Sequence, residues 1–400
     1  MLRSALLAIA CLLAFMVPAE AKSPSDQWLS PSKHSAMVAV RFDQRRNSST
    51  ITHGLADPKT GRKVSADDPV RIASVSKLIT SLAVMRLVER GMLSLDADIS
   101  RWLGQEIRNP AFPDQPLTLR QLLSHQSSLT DNADYIIPLG QSIADRLADP
   151  GAWDAKHAPG GYFRYSNLNF PLIASIIENA TGERFDQAMA RLVFKPLRLD
   201  ACFNWSTCSE AKIAKAVTLL GADGAVRRDD LNGVRPACLV VAASDGSCDL
   251  SRYPLGSNGA LFSPQGGVRI SMNDLARIGR LLIKRGRGFL KSQTFAQMTA
   301  AQWQFDGQNG DSENGFWCAY GLGVQILASG HSKCRDDPFG DKASRIGHPG
   351  EAYGLRSGLW IDPKTRTGIA FFVTAVPDNE PNGRSAFTLA EEMIVQNRRE

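Results

Sequence analysis

Strand-like segments lie near both ends of this 400-residue chain, and mostly helical patterns fill the part between them. Residues 36–42 combine alternation with β-branched side chains, which indicates a strand. Near the other end, strand patterns at 355–361 and 367–374 flank a turn sequence, Asp362-Pro363-Lys364-Thr365-Arg366. Residues 73–90 instead place apolar side chains at helical spacing. Strands so far apart in sequence share one sheet only if the chain leaves the sheet and later returns.

This arrangement predicts an α/β fold with a discontinuous sheet domain. We expect the α/β part at about residues 33–82 and 315–400, with an inserted, mostly helical region at about 83–314. The length of the chain is large for one core and suits two packed subdomains. The sequence contains no internal repeat and no low-complexity tract.

The composition excludes several classes of protein. With 43% hydrophobic and 22% charged residues, the chain has enough apolar side chains to build a core, so disorder is excluded. The net charge of +6 is spread over the whole length, and no Lys/Arg cluster alternates with aromatic residues. We therefore expect no nucleic-acid partner.

The N-terminus reads as a secretory signal peptide at residues 1–21. Arg3 supplies a positive start, residues 5–17 form an apolar stretch, and Ala19-Glu20-Ala21 fits a small-residue cleavage site. The apolar stretch is shorter than the roughly 20 residues that span a bilayer. We therefore expect a periplasmic or secreted mature chain at 22–400, with no stable membrane insertion once the signal is removed.

The cysteines fit an exported protein. Signal removal takes away Cys11 and leaves six: Cys202, Cys208, Cys238, Cys248, Cys318 and Cys334. Six cysteines allow 15 pairings, of which pairing of neighbours (202–208, 238–248 and 318–334) closes the shortest loops and is favoured. There is no Cys-x-x-Cys pair and no histidine at ligand spacing, so we expect no metal and no cofactor.

A candidate nucleophile lies in Ser74-Val75-Ser76-Lys77, at the start of the helix predicted over 73–90. Positions three residues apart share a helix face, so the Ser74 hydroxyl and the Lys77 amine can touch. Serine needs a base to become a nucleophile, and a desolvated lysine can lose its proton and act as one. The same spacing recurs at Ser30-Pro31-Ser32-Lys33 and Ser209-Glu210-Ala211-Lys212, outside such a helix start.

A second candidate is Tyr165-Ser166-Asn167, which follows a turn at 159–161. In an extended segment Tyr165 and Asn167 project to one side, so a phenol and an amide would face the same cleft. A tyrosine beside a lysine ammonium can have its pKa lowered, which makes a phenolate base conceivable here.

A third candidate is Gly347-His348-Pro349-Gly350, just before the paired C-terminal strands. His348 and Gly350 face the same way if the segment is extended. Gly350 would let a substrate approach the backbone, and the N–H of Glu351 could contribute to an oxyanion hole.

Taken together, the three motifs appear in the order Ser-x-x-Lys, Tyr-x-Asn, His-x-Gly, with roughly 90 and 180 residues between them. This order resembles the serine β-lactamase and penicillin-binding superfamily, most closely the branch with class C β-lactamases, D-aminopeptidases and lactamase-like esterases. The resemblance extends along most of the mature chain, through the segments 71–77, 118–125, 163–167 and 320–323. It implies the β-lactamase/transpeptidase-like fold, an antiparallel sheet flanked by helices.

The resemblance also implies roles for the matching residues. Ser74 would be the acylated nucleophile, and Lys77 and Tyr165 would share the proton transfers, with the identity of the base left open. Asn167 would hydrogen-bond the substrate and Lys77. The backbone N–H groups of Ser74 and Glu351 would hold the oxyanion.

The third motif departs from the Lys-Thr-Gly of true β-lactamases. His348 takes the place of a lysine, so a fixed charge becomes a side chain that is mostly neutral near pH 7. Pro349 removes a hydroxyl that helps to hold the substrate carboxylate in those enzymes, and it also removes a backbone donor. His348, Gly350 and Glu351 remain candidate substrate-binding residues, but penicillins and peptides with a free carboxylate are disfavoured.

The sequence therefore predicts an exported serine hydrolase that cleaves a small ester or amide through an acyl-enzyme on Ser74. One alternative is a D-amino-acid peptidase, carboxypeptidase or β-lactamase acting on cell-wall-type substrates. Another is a binding protein that becomes acylated but does not turn over. The expected partner is a small-molecule ester, amide or peptide, and the oligomeric state stays open.

Overall fold

The computed structural model describes residues 35–397, so the predicted signal peptide lies outside the described residues. The strands are β1 (Met37–Asp43), β2 (Asn47–His53), β3 (Leu55–Asp57), β4 (Arg62–Lys63), β5 (Val70–Arg71), β6 (Cys202–Phe203), β7 (Leu219–Leu220), β8 (Val226–Arg228), β9 (Val268–Ile270), β10 (Trp303–Gln304), β11 (Ala319–Tyr320), β12 (Gln325–Leu327), β13 (Arg345–Ala352), β14 (Leu355–Asp362) and β15 (Thr367–Val373). The α-helices are α1 (Val75–Glu89), α2 (Ser100–Leu103), α3 (Leu119–Leu123), α4 (Ile143–Leu147), α5 (Asn169–Thr181), α6 (Phe185–Met189), α7 (Glu210–Ile213), α8 (Met272–Ile283), α9 (Ser292–Thr299) and α10 (Leu389–Gln396). A 3₁₀ turn at Pro150–Ala152 and a π-helical turn at Ala190–Phe194 complete the helical elements.

The two ends of the chain form one antiparallel sheet of eight strands. Its order is β10-β11-β12-β13-β14-β15-β1-β2, so the N-terminal hairpin adds to the C-terminal strands. Strand β1 pairs with β15 from Met37 opposite Val373 to Asp43 opposite Thr367. The β-branched and aromatic side chains of these strands suit this pleated, buried position. The predicted α/β fold with an antiparallel sheet is confirmed.

Helices cover both faces of the sheet. Helix α8 packs on β15, β1 and β14, and its approach to β1 is close enough that a Cβ at Gly279 would lie 2.2 Å from the Phe42 ring. Helix α10 covers the other face, where Ile394 and Val395 join a cluster with Trp360. Helix α1 packs on β13, and this contact brings the Ser-x-x-Lys segment to the sheet.

Some elements differ from the sequence expectation. Side chains alternate over residues 320–327 in the sequence, which is typical of one strand, but the segment forms two short strands, β11 and β12, because Gly323 (φ +72°) allows a tight turn between them. The segment between β6 and β9 holds one four-residue helix, short strands and loops. This part of the expected insertion therefore contains little helix.

Three disulfides join Cys202–Cys208, Cys238–Cys248 and Cys318–Cys334, which is the predicted pairing of neighbours. Within residues 35–397, no helix has both the length and the apolar character needed to cross a membrane.

Candidate active site

Ser74 lies at the point where the chain turns from β5 into α1. The residue before it, Ala73, has φ +44°, which a non-glycine residue adopts only when its surroundings hold it there. Ser74 is the N-cap residue of α1, yet its side chain makes no capping hydrogen bond. The turn therefore leaves the Ser74 hydroxyl free to contact other groups of the site.

Lys77 is one helical turn further along α1 and is fully buried. Its Nζ donates to Ser74 Oγ at 2.9 Å, to Asn167 Oδ1 at 2.8 Å and to the Gln265 carbonyl oxygen at 3.2 Å. Burial lowers the pKa of Lys77 to about 7, and the nearby carboxylate of Asp131 opposes this shift. A lysine with this pKa is a neutral amine in a large fraction of molecules at neutral pH.

The Tyr165 ring is held between two other rings. His125 stacks on it at a centroid distance of 4.3 Å and Trp317 stacks on it at 4.3 Å, with interplanar angles of 27° and 11°. Burial raises the pKa of Tyr165 well above 10, although a hydrogen bond with the Ser74 side chain lowers it. Tyr165 is therefore a protonated phenol at neutral pH, with Lys77 Nζ 4.7 Å from its ring centroid.

Asp131 anchors the segment that carries Tyr165 and Asn167. Its carboxylate accepts hydrogen bonds from Ser166 Oγ (2.8 Å), the Asn167 backbone N–H (2.9 Å), Asn167 Nδ2 (2.9 Å) and the Leu168 N–H (3.0 Å). Sequence reasoning missed Asp131. Its position shortly after the 118–125 segment was the available signal, but a lone aspartate in a loop does not indicate which backbone it will meet.

Strand β13 brings the third motif to the nucleophile. Strand β12 pairs with β13 only from Arg345 to Gly347, so residues 348–352 pair with β14 alone and leave one edge open. A Cβ at Gly350 would lie 2.4 Å from the Ile72 carbonyl oxygen and 3.2 Å from Ser74 N. Only glycine permits this approach of β13 to Ser74, whereas the sequence analysis expected Gly350 to admit a substrate to the backbone.

The sequence analysis gave His348 as a candidate substrate-binding residue, but the structure places its side chain away from the cavity at Ser74. It is fully buried and does not line the cavity at Ser74. Its Nδ1 lies 2.6 Å from the Pro349 carbonyl oxygen, which can only accept, so Nδ1 carries the proton and Nε2 accepts from the Tyr320 hydroxyl at 2.7 Å. Burial lowers the pKa of His348 to about 3, with the Lys77 charge adding to the shift. The His348 ring therefore lies beneath the aromatic rings of Tyr165, Trp317 and Tyr320 and does not border that cavity.

Two cavities meet at Ser74. The larger, of about 550 Å³, is bordered by Tyr165 and by several carboxylates, of which Glu351 forms an ion pair with Arg356. The smaller, of about 460 Å³, shares Ser74, Asn167 and Glu351 with it but is bordered by Arg71 and Arg228. The nucleophile candidate therefore lies between an acidic and a basic cavity.

The structure thus brings together four predicted site residues, namely Ser74, Lys77, Tyr165 and Asn167, and places the backbone of Gly350 beside them. Other residues complete the site without having been singled out for it: Asp131, Trp317, Tyr320 and Gln265. Trp317 and Tyr320 reach it only through the folding of the C-terminal strands.

The chain is similar in sequence to a known protein family and to individual members of it. Residues 30–392 match the sequence model of the family described as Beta-lactamase. Among curated proteins, the chain is similar to esterase EstB of Burkholderia gladioli, with 35% identity over 167 residues that cover 37% of this chain and 42% of EstB. It is also similar to the D-alanyl-D-alanine-carboxypeptidase/endopeptidase AmpH of Escherichia coli (strain K12), with 29% identity covering 40% of this chain and 43% of AmpH. The matches therefore span less than half of the length of these relatives.

Among solved structures, the fold is similar to that of the D-amino acid amidase from Ochrobactrum anthropi SV3. The superposition has a TM-score of 0.62 at 20% identity and covers 90% of this chain and 91% of the amidase. The architecture is thus a β-lactamase/transpeptidase fold, with the antiparallel sheet and flanking helices described above.

Proposed function

This chain belongs to the Beta-lactamase family, and from that premise we propose that it is an exported serine hydrolase that cleaves a small ester or amide through an acyl-enzyme on Ser74. The observation that carries the proposal is the 2.9 Å hydrogen bond between Lys77 Nζ and Ser74 Oγ, made by a lysine whose pKa burial lowers to about 7. A base of this pKa is well matched to proton transfer near neutral pH.

In the first step, Ser74 Oγ attacks the carbonyl carbon of the substrate while its proton passes to the neutral amine of Lys77. The protonated phenol of Tyr165 then donates its proton to the leaving alcohol or amine and regains one from Lys77. Because burial raises the pKa of Tyr165 well above 10, a phenolate is disfavoured and Lys77 is assigned as the base. In the second step, water attacks the carbonyl carbon of the acyl-enzyme and loses a proton to Lys77 and Tyr165. These groups deliver a proton to Ser74 Oγ as the acyl group leaves.

The backbone supplies the donors for the oxyanion. Pro349 has no N–H to donate to a neighbouring strand. Its nitrogen is therefore placed toward the edge of β13 that β12 does not cover, where the sheet needs no donor. The N–H of Glu351, two residues further along the strand, then points to the same edge. Together with the N–H of Ser74 at the start of α1, it forms the pair of donors proposed to hold the oxyanion.

His348 takes a positioning role in this proposal. Its two ring nitrogens are occupied by Tyr320 and by the Pro349 carbonyl oxygen, so it ties β13 to β11 and leaves substrate contact to Gly350 and Glu351. Asn167 keeps its proposed double role, since its Oδ1 accepts from Lys77 while the residue also borders the cavity.

Ester hydrolysis is favoured within this class because EstB, named an esterase, is among the relatives. Peptidase activity on cell-wall-type substrates is the second candidate, supported by the name of AmpH. Pro349 counts against a β-lactamase that binds its substrate through the usual hydroxyl on this strand. The third reading, acylation without turnover, predicts an adduct that persists for hours. Three disulfides support export to an oxidising compartment, periplasmic or extracellular.

Turnover of short p-nitrophenyl esters tests the proposal. The wild type should hydrolyse them above the buffer rate, and Ser74→Ala should return the rate to background. Ser209→Ala is a matched control, because Ser209 begins a second Ser-x-x-Lys segment, yet Lys212 Nζ donates to the Asp67 carbonyl oxygen instead. A wild-type rate no better than buffer, or full activity in Ser74→Ala, would contradict the proposal.

A further inference from the structure

Arg71 stands out as a buried cation without a matching acceptor. It ends β5, three residues before Ser74, and only 6% of its surface is exposed. Its Nε and Nη1 are buried and have no hydrogen-bond partner among the described residues. These atoms carry three of the five N–H donors of a guanidinium. Buried charged donors are normally paired, because leaving them unpaired costs much of their lost hydration.

The nearest carboxylate is already in use. Asp229 accepts from Arg269 Nη2 at 2.9 Å and Nε at 3.2 Å, and from Trp205 Nε1 at 2.9 Å. Burial lowers the pKa of Arg71 to about 9, with the charge of Arg269 adding to the shift, so Arg71 stays cationic at neutral pH. The surroundings therefore hold more positive than negative charge.

Arg71 borders the smaller of the two cavities at Ser74. The Tyr353 ring lies 5.1 Å from the Arg71 guanidinium and 5.3 Å from that of Arg228, and both arginines border the cavity. Gln265 borders it as well and leaves its buried Oε1 unpaired, while its carbonyl oxygen accepts from Lys77. Arg71 and Ser74 thus border one cavity, and because Nε and Nη1 are buried, Nη2, on the side of Gly266, is the guanidinium nitrogen that a ligand there can reach.

We infer that this cavity binds a carboxylate group of the substrate on Arg71, so that the preferred substrates are esters or amides that carry a carboxylate. The inference rests on the serine hydrolase proposed above. Guanidinium and carboxylate groups form charge-assisted hydrogen bonds, which are about twice as strong as neutral ones. Glu351 borders the same cavity and would repel a second negative charge, which favours a singly charged carboxylate over a phosphate.

This carboxylate subsite differs from the one at position 349 that the sequence analysis disfavoured. Pro349 weakens carboxylate binding by a side chain of β13, whereas Arg71 offers a cation from β5. A free carboxylate on the substrate is therefore compatible with this site, through a different residue.

Matched pairs of esters test the inference. Mono-p-nitrophenyl glutarate and p-nitrophenyl methyl glutarate differ in a carboxylate on the acyl side, and 4-acetoxybenzoate and its methyl ester differ on the leaving-group side. In at least one pair, kcat/KM of the wild type should favour the carboxylate by about 10- to 100-fold. Arg71→Gln should reduce this ratio to about one, and Arg71→Lys should retain part of it. Arg101→Gln, which removes an exposed guanidinium at a separate cavity, should leave the ratio unchanged.

A competition experiment needs no variant, in case Arg71→Gln does not fold. Butyrate should inhibit hydrolysis of the neutral ester competitively, and butyramide at the same concentration should not. Ser74-dependent hydrolysis with no preference in either pair, and no inhibition by butyrate, would overturn the inference and leave the proposed function intact. Failure of every ester, together with no labelling of Ser74 by a fluorophosphonate, would overturn both.

Discussion

The pH dependence of acylation follows from the burial of Lys77. Burial lowers the pKa of Lys77 from 10.5 to about 7. At pH 7 about half of the molecules then carry a neutral amine, against roughly one in 3,000 for a lysine at 10.5. Burial therefore raises the fraction of active base about a thousandfold, a gain that an exposed Ser-x-x-Lys segment does not have.

Activity should increase with pH, because the neutral amine of Lys77 is the active form. For p-nitrophenyl acetate, kcat/KM should rise through a midpoint near pH 7 to a plateau, and it should fall about tenfold per pH unit well below the midpoint. Histidines of the site do not interfere, since burial lowers the pKa of His348 to about 3 and that of His125 well below 6.5. Lys77→Arg keeps its proton at all these pH values and should lose about 10²- to 10⁴-fold in kcat/KM.

The assay follows p-nitrophenolate release from pH 5 to pH 9, with the Ser74→Ala rate subtracted at each pH. Lys212→Arg changes the lysine of the second Ser-x-x-Lys segment and should leave the profile unchanged. A rate that still rises about tenfold per pH unit at pH 9, with no plateau, would refute the argument that burial activates Lys77. So would wild-type activity in Lys77→Arg.

Three further predictions concern the groups around the nucleophile. Gly350→Ala places a Cβ 2.4 Å from the Ile72 carbonyl oxygen, so it should cost about 1–3 kcal/mol of stability and lower kcat/KM, measured by thermal unfolding and ester hydrolysis. Asp131→Asn removes a charge that raises the pKa of Lys77, so the pH midpoint should move down while kcat/KM falls about tenfold or more. Replacing Cys318 and Cys334 together by serine opens a disulfide of sequence separation 16 and should cost about 3 kcal/mol in thermal unfolding.

A contradicting result can be named for each of these three variants. Wild-type stability and activity in Gly350→Ala would mean that β13 can move away from Ser74 freely. An upward shift of the midpoint in Asp131→Asn would contradict the electrostatic effect assigned to that carboxylate. An unfolding temperature of the cysteine double variant equal to that of the wild type under non-reducing conditions would show that the bond adds nothing to stability.

Local periodicity explains why part of this site could be read from the sequence. Ser74 and Lys77 lie three positions apart on a helix, so their contact depends on helix geometry alone, and the structure gives it as 2.9 Å. The pairing of neighbouring cysteines is local in the same way. The strands β1, β14 and β15 were predicted because alternation and a turn sequence mark them.

Contacts between distant segments could not be predicted in this way. The ring of Tyr165 lies between His125 and Trp317, and its position depends on how β11 is placed in the sheet. The burial of His348 depends on Tyr320, 28 residues away. For Arg71, the sequence shows a cation near the nucleophile, but only the fold shows that the neighbouring carboxylate is taken by Arg269.

The central claim is that Ser74 is an activated nucleophile, and intact-mass analysis with a fluorophosphonate tests it most directly. The mature wild type and Ser209→Ala should each gain the mass of one adduct, and Ser74→Ala should gain none. Peptide mapping should then place the adduct on the peptide that contains Ser74. Equal labelling of Ser74→Ala and wild type, or an adduct on another residue, would contradict the account.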